Sequence, residues 1–524
     1  MDIGFITRRS QWPCRRIGGH RPAVSFEDRE TWTHDQLRER VNARANALIG
    51  RGVRSGDRVG ILLYNALEYW ALYLAVTRIG AIAVRLNFRL TAEELEFAIT
   101  DSGCGTLCFH ASLAETLAPV RQGLPVSDFI ALEQEDAPVP HWAASWSVLD
   151  GDTGNPPGPR PAQTYPAMLM YTSGTTGRPK GALWSHSNAL WFAAIQALQW
   201  GFDQDTVAMT TGPMYHVGAV EDLTSSALAA GGHAVVLRSG GFSIYRVLAT
   251  VERQTVTDLF LFPFMIYELA QLNVEEAEKY DLSSLKRILS GGDPLLPWAT
   301  QVLQRRYPWI EISQVYGLTE GTPIAACSTG EETLSCPDSV GRPMPFTEIS
   351  LRDDEGQQVA TGAEGEIWIR SPVVCERYWQ RPDASAETFV NGWCRTGDLG
   401  RLTEDGLLCI SGRKKDMIRT GGENVYPAEV EDVLMRHPDV REVAVIAVPD
   451  ARFIESVCAV VVPGNDAAIA KDIIDHCRKH LAGFKCPKHV VFADELPRTP
   501  SGKLMKYRLR DDYHHLGTAP DTLF

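Results

Sequence analysis

Apolar residues recur at helical spacing at Leu37, Val41, Ala45 and Leu48, directly behind Thr33-His34-Asp35-Gln36. That lead-in has the form of a capping box and Gly50 reads as a stop, so a helix is expected between them. The pattern then switches. Residues 58–63 are a short apolar run predicting a buried strand, 66–78 a helix and 81–84 a second strand. Residues 91–101 and 106–109 repeat the helix and the strand. Such alternation implies a parallel sheet joined by crossover helices. Residues 151–161, rich in Gly, Pro and Asp, read as an exposed loop.

Ala167-Met168-Leu169-Met170 predicts another buried strand and 187–199 a helix. The string Tyr171-Thr172-Ser173-Gly174-Thr175-Thr176-Gly177-Arg178-Pro179-Lys180-Gly181 is therefore expected between a strand and a helix. Further strands are predicted at 207–210, 234–237, 259–262, 288–290 and 312–315, with a helix at 245–254. Three of these strands lead into Pro213-Met214-Tyr215-His216-Val217-Gly218, Gly291-Gly292-Asp293 and Tyr316-Gly317-Leu318-Thr319-Glu320. Ligands of open α/β sheets gather beyond the carboxyl ends of strands, where all four stretches fall. From about residue 339 short strands (348–351, 365–370, 407–410) alternate with the hairpin turns Asp354-Glu355-Gly356 and Glu404-Asp405-Gly406, predicting a small β subdomain. A smaller α/β rhythm follows Gly412: helix 427–437, strands 442–448 and 457–462, helix 468–481. The expected division is 1–412 and 413–524.

The string after Tyr171 combines Ser/Thr hydroxyls, glycines and one lysine. Glycines let backbone N–H groups turn toward an anion, hydroxyls add donors and Lys180 adds charge, which together make a polyphosphate cradle. It is not a Walker A loop, since no Gly-Lys-Ser/Thr stands at the required spacing. Tyr316 offers a flat ring, Thr319 a hydroxyl and Glu320 a carboxylate fit for Mg²⁺. Asp398, in Trp393-Cys394-Arg395-Thr396-Gly397-Asp398, can accept ribose hydroxyls or simply cap a turn. The charged run Arg413-Lys414-Lys415-Asp416 lies where a hinge would fall. Gly421 and Gly422 would let backbone approach an extended ligand, and Lys503 stands in a flexible Pro-Ser-Gly-Lys turn. His216 taken alone, a single histidine after an apolar strand, reads more readily as a core or rim residue than as a catalytic one.

The composition is that of an ordinary soluble protein: 524 residues, 44% apolar and 22% charged. A net charge of −14 argues against non-specific nucleic-acid binding. The eleven cysteines are scattered and odd in number, which points to reduced thiols and a cytoplasmic setting. Cys104, Cys108 and His110 lack a second ligand pair and read as structural. No stretch is apolar and long enough to span a bilayer, the best (69–84) being broken by Thr77 and Arg78.

Taken in order, the cradle, 316–320, 396–398, 412–431 and 500–503 resemble the signature stretches of the adenylate-forming superfamily, and within it the acyl-CoA synthetases. The resemblance runs from about Thr31 to Leu509. It implies an α/β fold: a large N-terminal domain of two α/β sheets plus a β subdomain, and a small mobile α+β C-terminal domain. It implies activation of a carboxylic acid by Mg-ATP to acyl-adenylate and pyrophosphate, then transfer to coenzyme A with release of AMP. Carried over by position, Thr172, Ser173, Gly174, Thr175, Thr176, Gly177 and Lys180 would hold the β- and γ-phosphates. Gly291, Gly292 and Tyr316, with Asp293 beside them, would frame adenine. Thr319 would touch the α-phosphate, and Glu320 would bind Mg²⁺. Asp398 and Arg413 would take the ribose, with Lys415 as hinge. Lys503 would bridge the reacting oxygens and then swing away, Gly421 and Gly422 would line the pantetheine tunnel, and His216 would gate the acyl site. Asp293, Phe262-Pro263-Phe264, Glu376-Arg377-Tyr378-Trp379 and Arg419 depart from the usual pattern, which leaves the acid open. The alternatives are an acyl-AMP ligase loading a carrier protein, disfavoured because there is no room for an insertion between Asp398 and Lys415, and an inactive binding protein of the same fold. A homodimer is a common arrangement for such enzymes.

Overall fold

The computed structural model describes residues 18–517 except 28, 135, 173–178, 294, 421–422, 451–452, 465–469 and 499–503. Contacts group the chain into two units, Met1–Ile349 with Ile369–Arg395, and Ser350–Trp368 with Thr396–Phe524.

The first unit holds two large sheets. The helix expected behind Thr33 is His34–Gly50, with the capping box formed; it runs through Gly50, and Arg51 is its C-cap. Strands Arg58–Leu62, Ile82–Arg85 and Thr106–His110 pair in parallel, as the alternation predicts. The helix Leu67–Arg78 between the first two is apolar on nearly every side and is buried on nearly every side. Strand β1 (Pro166–Thr172) joins this seven-stranded sheet beside Ile82–Arg85, and β2 (Lys180–Ser185) closes its edge.

The β1–β2 pair corrects one expectation. The cradle does not lie between a strand and a helix but between two antiparallel strands, with Thr172 opposite Lys180. The helix His186–Trp200 starts only after β2, capped by Ser185. The run Gly181-Ala-Leu-Trp is buried in the sheet, and its apolar side chains do not reveal in advance that the chain reverses there.

In the nine-stranded sheet β3 (Val207–Thr210), β4 (Asp258–Phe260), β5 (Arg287–Gly291) and β6 (Glu311–Leu318) lie side by side and parallel. Thr210 stands opposite Phe260, Phe260 opposite Leu289, and Gly291 opposite Val315. This register puts their carboxyl ends on one edge, where ligands of such sheets collect. Two strands differ from expectation. The strand expected to reach 262 stops at Phe260, because Phe262 caps the helix Pro263–Gln271, with its proline in the first turn. Strand β6 continues through Tyr316 to Leu318 and turns at 319–321 into the antiparallel β7 (Thr322–Cys327). Gly317 is required there, since a Cβ would stand 2.1 Å from Thr322 O.

In the second unit the part of β8 (Trp393–Leu402) from Thr396 onward pairs with β9 (Leu408–Arg413). The turn at Glu404-Asp405-Gly406 is formed, with Gly406 at φ 79°. Farther on, Val440–Asp450 and Ile454–Pro463 make a long antiparallel pair. Val443, Val445, Val457 and Val461 enter one apolar cluster, while Ala444, Ile446, Val460 and Val462 enter another. The period of two thus covers both faces, which is why these segments read as continuous apolar runs. No helix among the described residues is long and apolar enough to cross a membrane.

Candidate active site

The turn after β6 delivers Glu320, which is 9% exposed. Its Oε1 accepts two hydrogen bonds, from Thr172 Oγ1 at the end of β1 (2.8 Å) and from the Tyr378 hydroxyl (3.1 Å). The last residue of a strand in one sheet is thereby joined to the turn at the end of a strand in the other. Thr319 beside it accepts the Trp184 indole N–H from β2 on its carbonyl, at 2.9 Å. The Lys180 Nζ stands 5.2 Å from the centre of the Tyr378 ring. Thr172 and Lys180 are thus brought together with Thr319 and Glu320, from a distant part of the sequence. Burial, with the Glu320 carboxylate beside it, pushes the Tyr378 hydroxyl well above its ordinary value, so it stays a donor.

Gly291 ends β5 and pairs with Val315, one residue before Tyr316. A Cβ on Gly291 would lie 2.6 Å from Val315 O, and Gly292 takes φ 96°. Both glycines are therefore demanded by the backbone. Asp293 is exposed. The Phe262 ring stands between two loops, 3.7 Å from a Cβ position at Gly292 and 3.5 Å from one at Gly212.

His216 precedes the short helix Val217–Val220, and its Nδ1 accepts the Gly218 N–H at 3.2 Å. The loop before it is held from below. Asn65 donates to Gly212 O (2.9 Å) and Leu237 O (2.8 Å) and accepts the Met214 N–H (2.8 Å). Arg85 donates to His216 O (2.9 Å), to the Met214 carbonyl and to Glu221 Oε2 (2.5 Å), and the ion pair is fully buried. Arg85→Met is expected to destabilise the fold by about 3–5 kcal/mol in a denaturant titration, because Glu221 would be left buried and unpaired. A loss below 1 kcal/mol would show that the pair does not hold this loop.

In the second unit Asp398 faces Arg413 across β8 and β9, with Arg413 Nε 2.7 Å from Asp398 Oδ1. Arg413 also donates to Thr396 O at 3.2 Å. Burial holds the Lys415 ammonium below its usual range; Arg413 and Arg510 push the same way, opposed by Asp416 and Asp398. Ser173, Gly174, Thr175, Thr176 and Gly177 of the cradle, Gly421 and Gly422, and Lys503 lie outside the described residues.

The sequence pattern of the AMP-binding enzyme family matches residues 11–379, and that of the family's C-terminal domain matches 429–503. The chain belongs to the AMP-binding enzyme family. Within it, the chain groups with the acyl-CoA synthetases of the adenylate-forming superfamily. It is 36% identical to a feruloyl-CoA synthase from Amycolatopsis sp over 507 residues, 95% of this chain and 98% of that one. It is 32% identical over 523 residues to a long-chain-fatty-acid–CoA ligase from Mycobacterium tuberculosis, with 98% of each covered. Among solved structures it resembles the anthranilate CoA ligase AuaEII in complex with anthranoyl-AMP, with a TM-score of 0.89, 26% identity and 99% and 98% of the two chains covered. CoA ligases of this family use ATP and CoA.

Tyr378, whose hydroxyl donates to Glu320, was passed over in the motif reading of this AMP-binding enzyme. It lies in Glu376-Arg377-Tyr378-Trp379, noted only as a departure from the usual pattern. Here the segment runs along β2: Trp379 N–H reaches Gly181 O at 2.8 Å, and Ala182 bridges Tyr378. Arg85 was missed because the strand prediction stopped one residue short of it. Cys104, Cys108 and His110 are packed into the core. His110 Nδ1 accepts the Tyr64 N–H at 2.9 Å and burial lowers its pKa to about 4, while burial pushes the Cys104 thiol up to about 12.

Proposed function

We propose that this AMP-binding enzyme couples a carboxylic acid to CoA through two half-reactions in the order the family resemblance implies. The observation that carries this is the convergence of Thr172 and Tyr378 on Glu320 Oε1, where strands of two sheets end. Two donors on Oε1 fix the orientation of the carboxylate. A single carboxylate of this kind fits Mg²⁺, which keeps most of its shell for water and phosphate. When bound, the ion neutralises charge on the nucleotide phosphates.

The chain's own residues do the rest. Thr172, Ser173, Gly174, Thr175, Thr176, Gly177 and Lys180 grip the outer phosphates, and the Thr172–Lys180 pairing fixes the width of that loop at its base. Gly291, Gly292 and Tyr316, with Asp293 at the rim, frame the base. Thr319 meets the α-phosphate, Asp398 and Arg413 hold the ribose, and Lys503 faces the charge that grows as the acid's oxygen attacks phosphorus. Residues 1–412 act as the adenylating part and 413–524 as the part carrying Lys503, with Lys415 between them and Gly421 and Gly422 along the path of CoA. His216 stands at the acyl site.

The test is to incubate the chain with Mg-ATP and a panel of aromatic and fatty acids, with and without CoA. Acid-dependent pyrophosphate release without CoA, and a thioester only with it, are expected. Pyrophosphate release with no thioester, rescued by a carrier protein, would instead favour the carrier-loading reading.

A further inference from the structure

The helix Ala92–Ser102 ends in a way that helix electrostatics disfavour. Asp101 stands in its last turn, which holds no basic residue, so the carboxylate meets the negative end of the helix dipole. What holds it comes from elsewhere in the chain. The Tyr171 hydroxyl donates to Asp101 Oδ2 at 2.8 Å, and Arg381 Nη2 donates to Oδ1 at 2.5 Å. The Trp379 indole N–H donates to the Asp101 carbonyl at 3.0 Å. The Asp101 side chain is 11% exposed.

Two of these partners are chain neighbours of the groups that hold Glu320. Tyr171 precedes Thr172 at the end of β1, and successive strand residues point to opposite faces. Thr172 accordingly reaches Glu320 Oε1 while Tyr171 reaches Asp101. The division repeats in the segment along β2, where Tyr378 reaches Glu320 Oε1 and Trp379 reaches Asp101. Arg381, two residues on, adds the ion pair. Asp101 and Glu320 thus hold the same two stretches through adjacent residues. Arg58 backs the arrangement: it donates to the Ser102 and Gly103 carbonyls, both at 2.9 Å, and its guanidinium stands 5.9 Å from the centre of the Trp379 ring. Burial, with the Asp101 carboxylate beside it, pushes the Tyr171 hydroxyl above its ordinary value, so it stays a donor.

We infer that Asp101 is a positioning residue for Glu320: by anchoring Tyr171, Trp379 and Arg381 it fixes where the Thr172 and Tyr378 hydroxyls stand, and so how the carboxylate is presented to Mg²⁺. The inference rests on the reading of Glu320 as the carboxylate that meets the ion. A shift of about 1 Å at either hydroxyl would take it out of hydrogen-bond range of Oε1. Glu320 would keep its charge but lose its fixed orientation, and a ligand held loosely binds its ion less well.

The experiment measures the affinity for α,β-methylene-ATP by calorimetry, with Mg²⁺ and again with the ion chelated, so that no turnover is involved. The ratio of the two affinities reads the contribution of the ion. Asp101→Ala should shrink that ratio on the order of tenfold, by weakening the Mg²⁺ complex and not the metal-free nucleotide. Thioester formation from supplied acyl-adenylate and CoA should stay within about twofold of wild type. Should the alanine variant not fold, Tyr171→Phe cuts one arm and keeps the ion pair, and should shrink the ratio about threefold. An unchanged ratio, or equal loss of affinity for both forms, overturns the role of Asp101. Glu320→Gln, measured alongside, separates the two readings. If it collapses the ratio and the Asp101 variant does not, the positioning role alone falls. If it leaves the ratio at the wild-type value, the reading of Glu320 falls and the role of Asp101 with it.

Discussion

Lys503→Ala is expected to lower acid-dependent ATP–pyrophosphate exchange by roughly 10³-fold, while thioester formation from supplied acyl-adenylate and CoA falls less than about tenfold. The argument is electrostatic. In the first half-reaction an anionic acid approaches an anionic phosphate, and negative charge collects on oxygens between them. An ammonium placed there lowers that barrier more than it stabilises the separated reactants, so its loss falls on kcat. In the second half-reaction a thiol attacks an acyl carbon whose leaving group, AMP, is already activated, and the same ammonium has no comparable charge to meet. The two rates measured on one preparation settle it. Equal loss of both steps would mean that Lys503 supports the fold or CoA binding, and unchanged exchange would remove it from the chemistry.

Glu320→Gln is expected to cost on the order of 10²–10³-fold in the same exchange assay. The substitution keeps volume but removes the charge, and it makes half of the head group a donor. If the amide nitrogen replaces Oε1, it faces two groups that are themselves donors, the Thr172 and Tyr378 hydroxyls, and both lose their acceptor. If the oxygen stays in place, the N–H₂ points where a hard cation needs an oxygen. Either orientation harms the site, and raising Mg²⁺ should recover little of the rate. Full recovery at high Mg²⁺ would show that the carboxylate only tunes ion affinity, and activity within threefold of wild type would take Glu320 out of the site.

Much of this was legible in the sequence, for identifiable reasons. The capping box at Thr33 is a local signal and gave the start of its helix correctly. The alternation from 58 to 109 gave a parallel sheet, because crossover helices leave their own period between apolar runs. The placement of motifs at strand ends followed from those runs, and β3, β5 and β6 deliver their motifs on one edge. What was hidden depends on partners distant in the chain. The β1–β2 reversal carries no turn signature beyond the glycines already read as a cradle. Arg85 finds Glu221 only once two sheets are assembled, and a lone arginine at a strand end gives no hint of it. Tyr378 belongs to an irregular segment with no period of its own.

That irregular segment has a second consequence. Strand β2 lies at the rim of its sheet, and such a rim exposes unpaired amides and carbonyls that can recruit another chain. Leu183 N–H is taken by Arg377 O at 3.4 Å, and Gly181 O is taken by Trp379 N–H. The strap that steadies Glu320 therefore also seals the seam where two molecules would zip together. Variants that loosen it would lose solubility along with turnover, so catalytic competence and resistance to self-association are inherited as one trait.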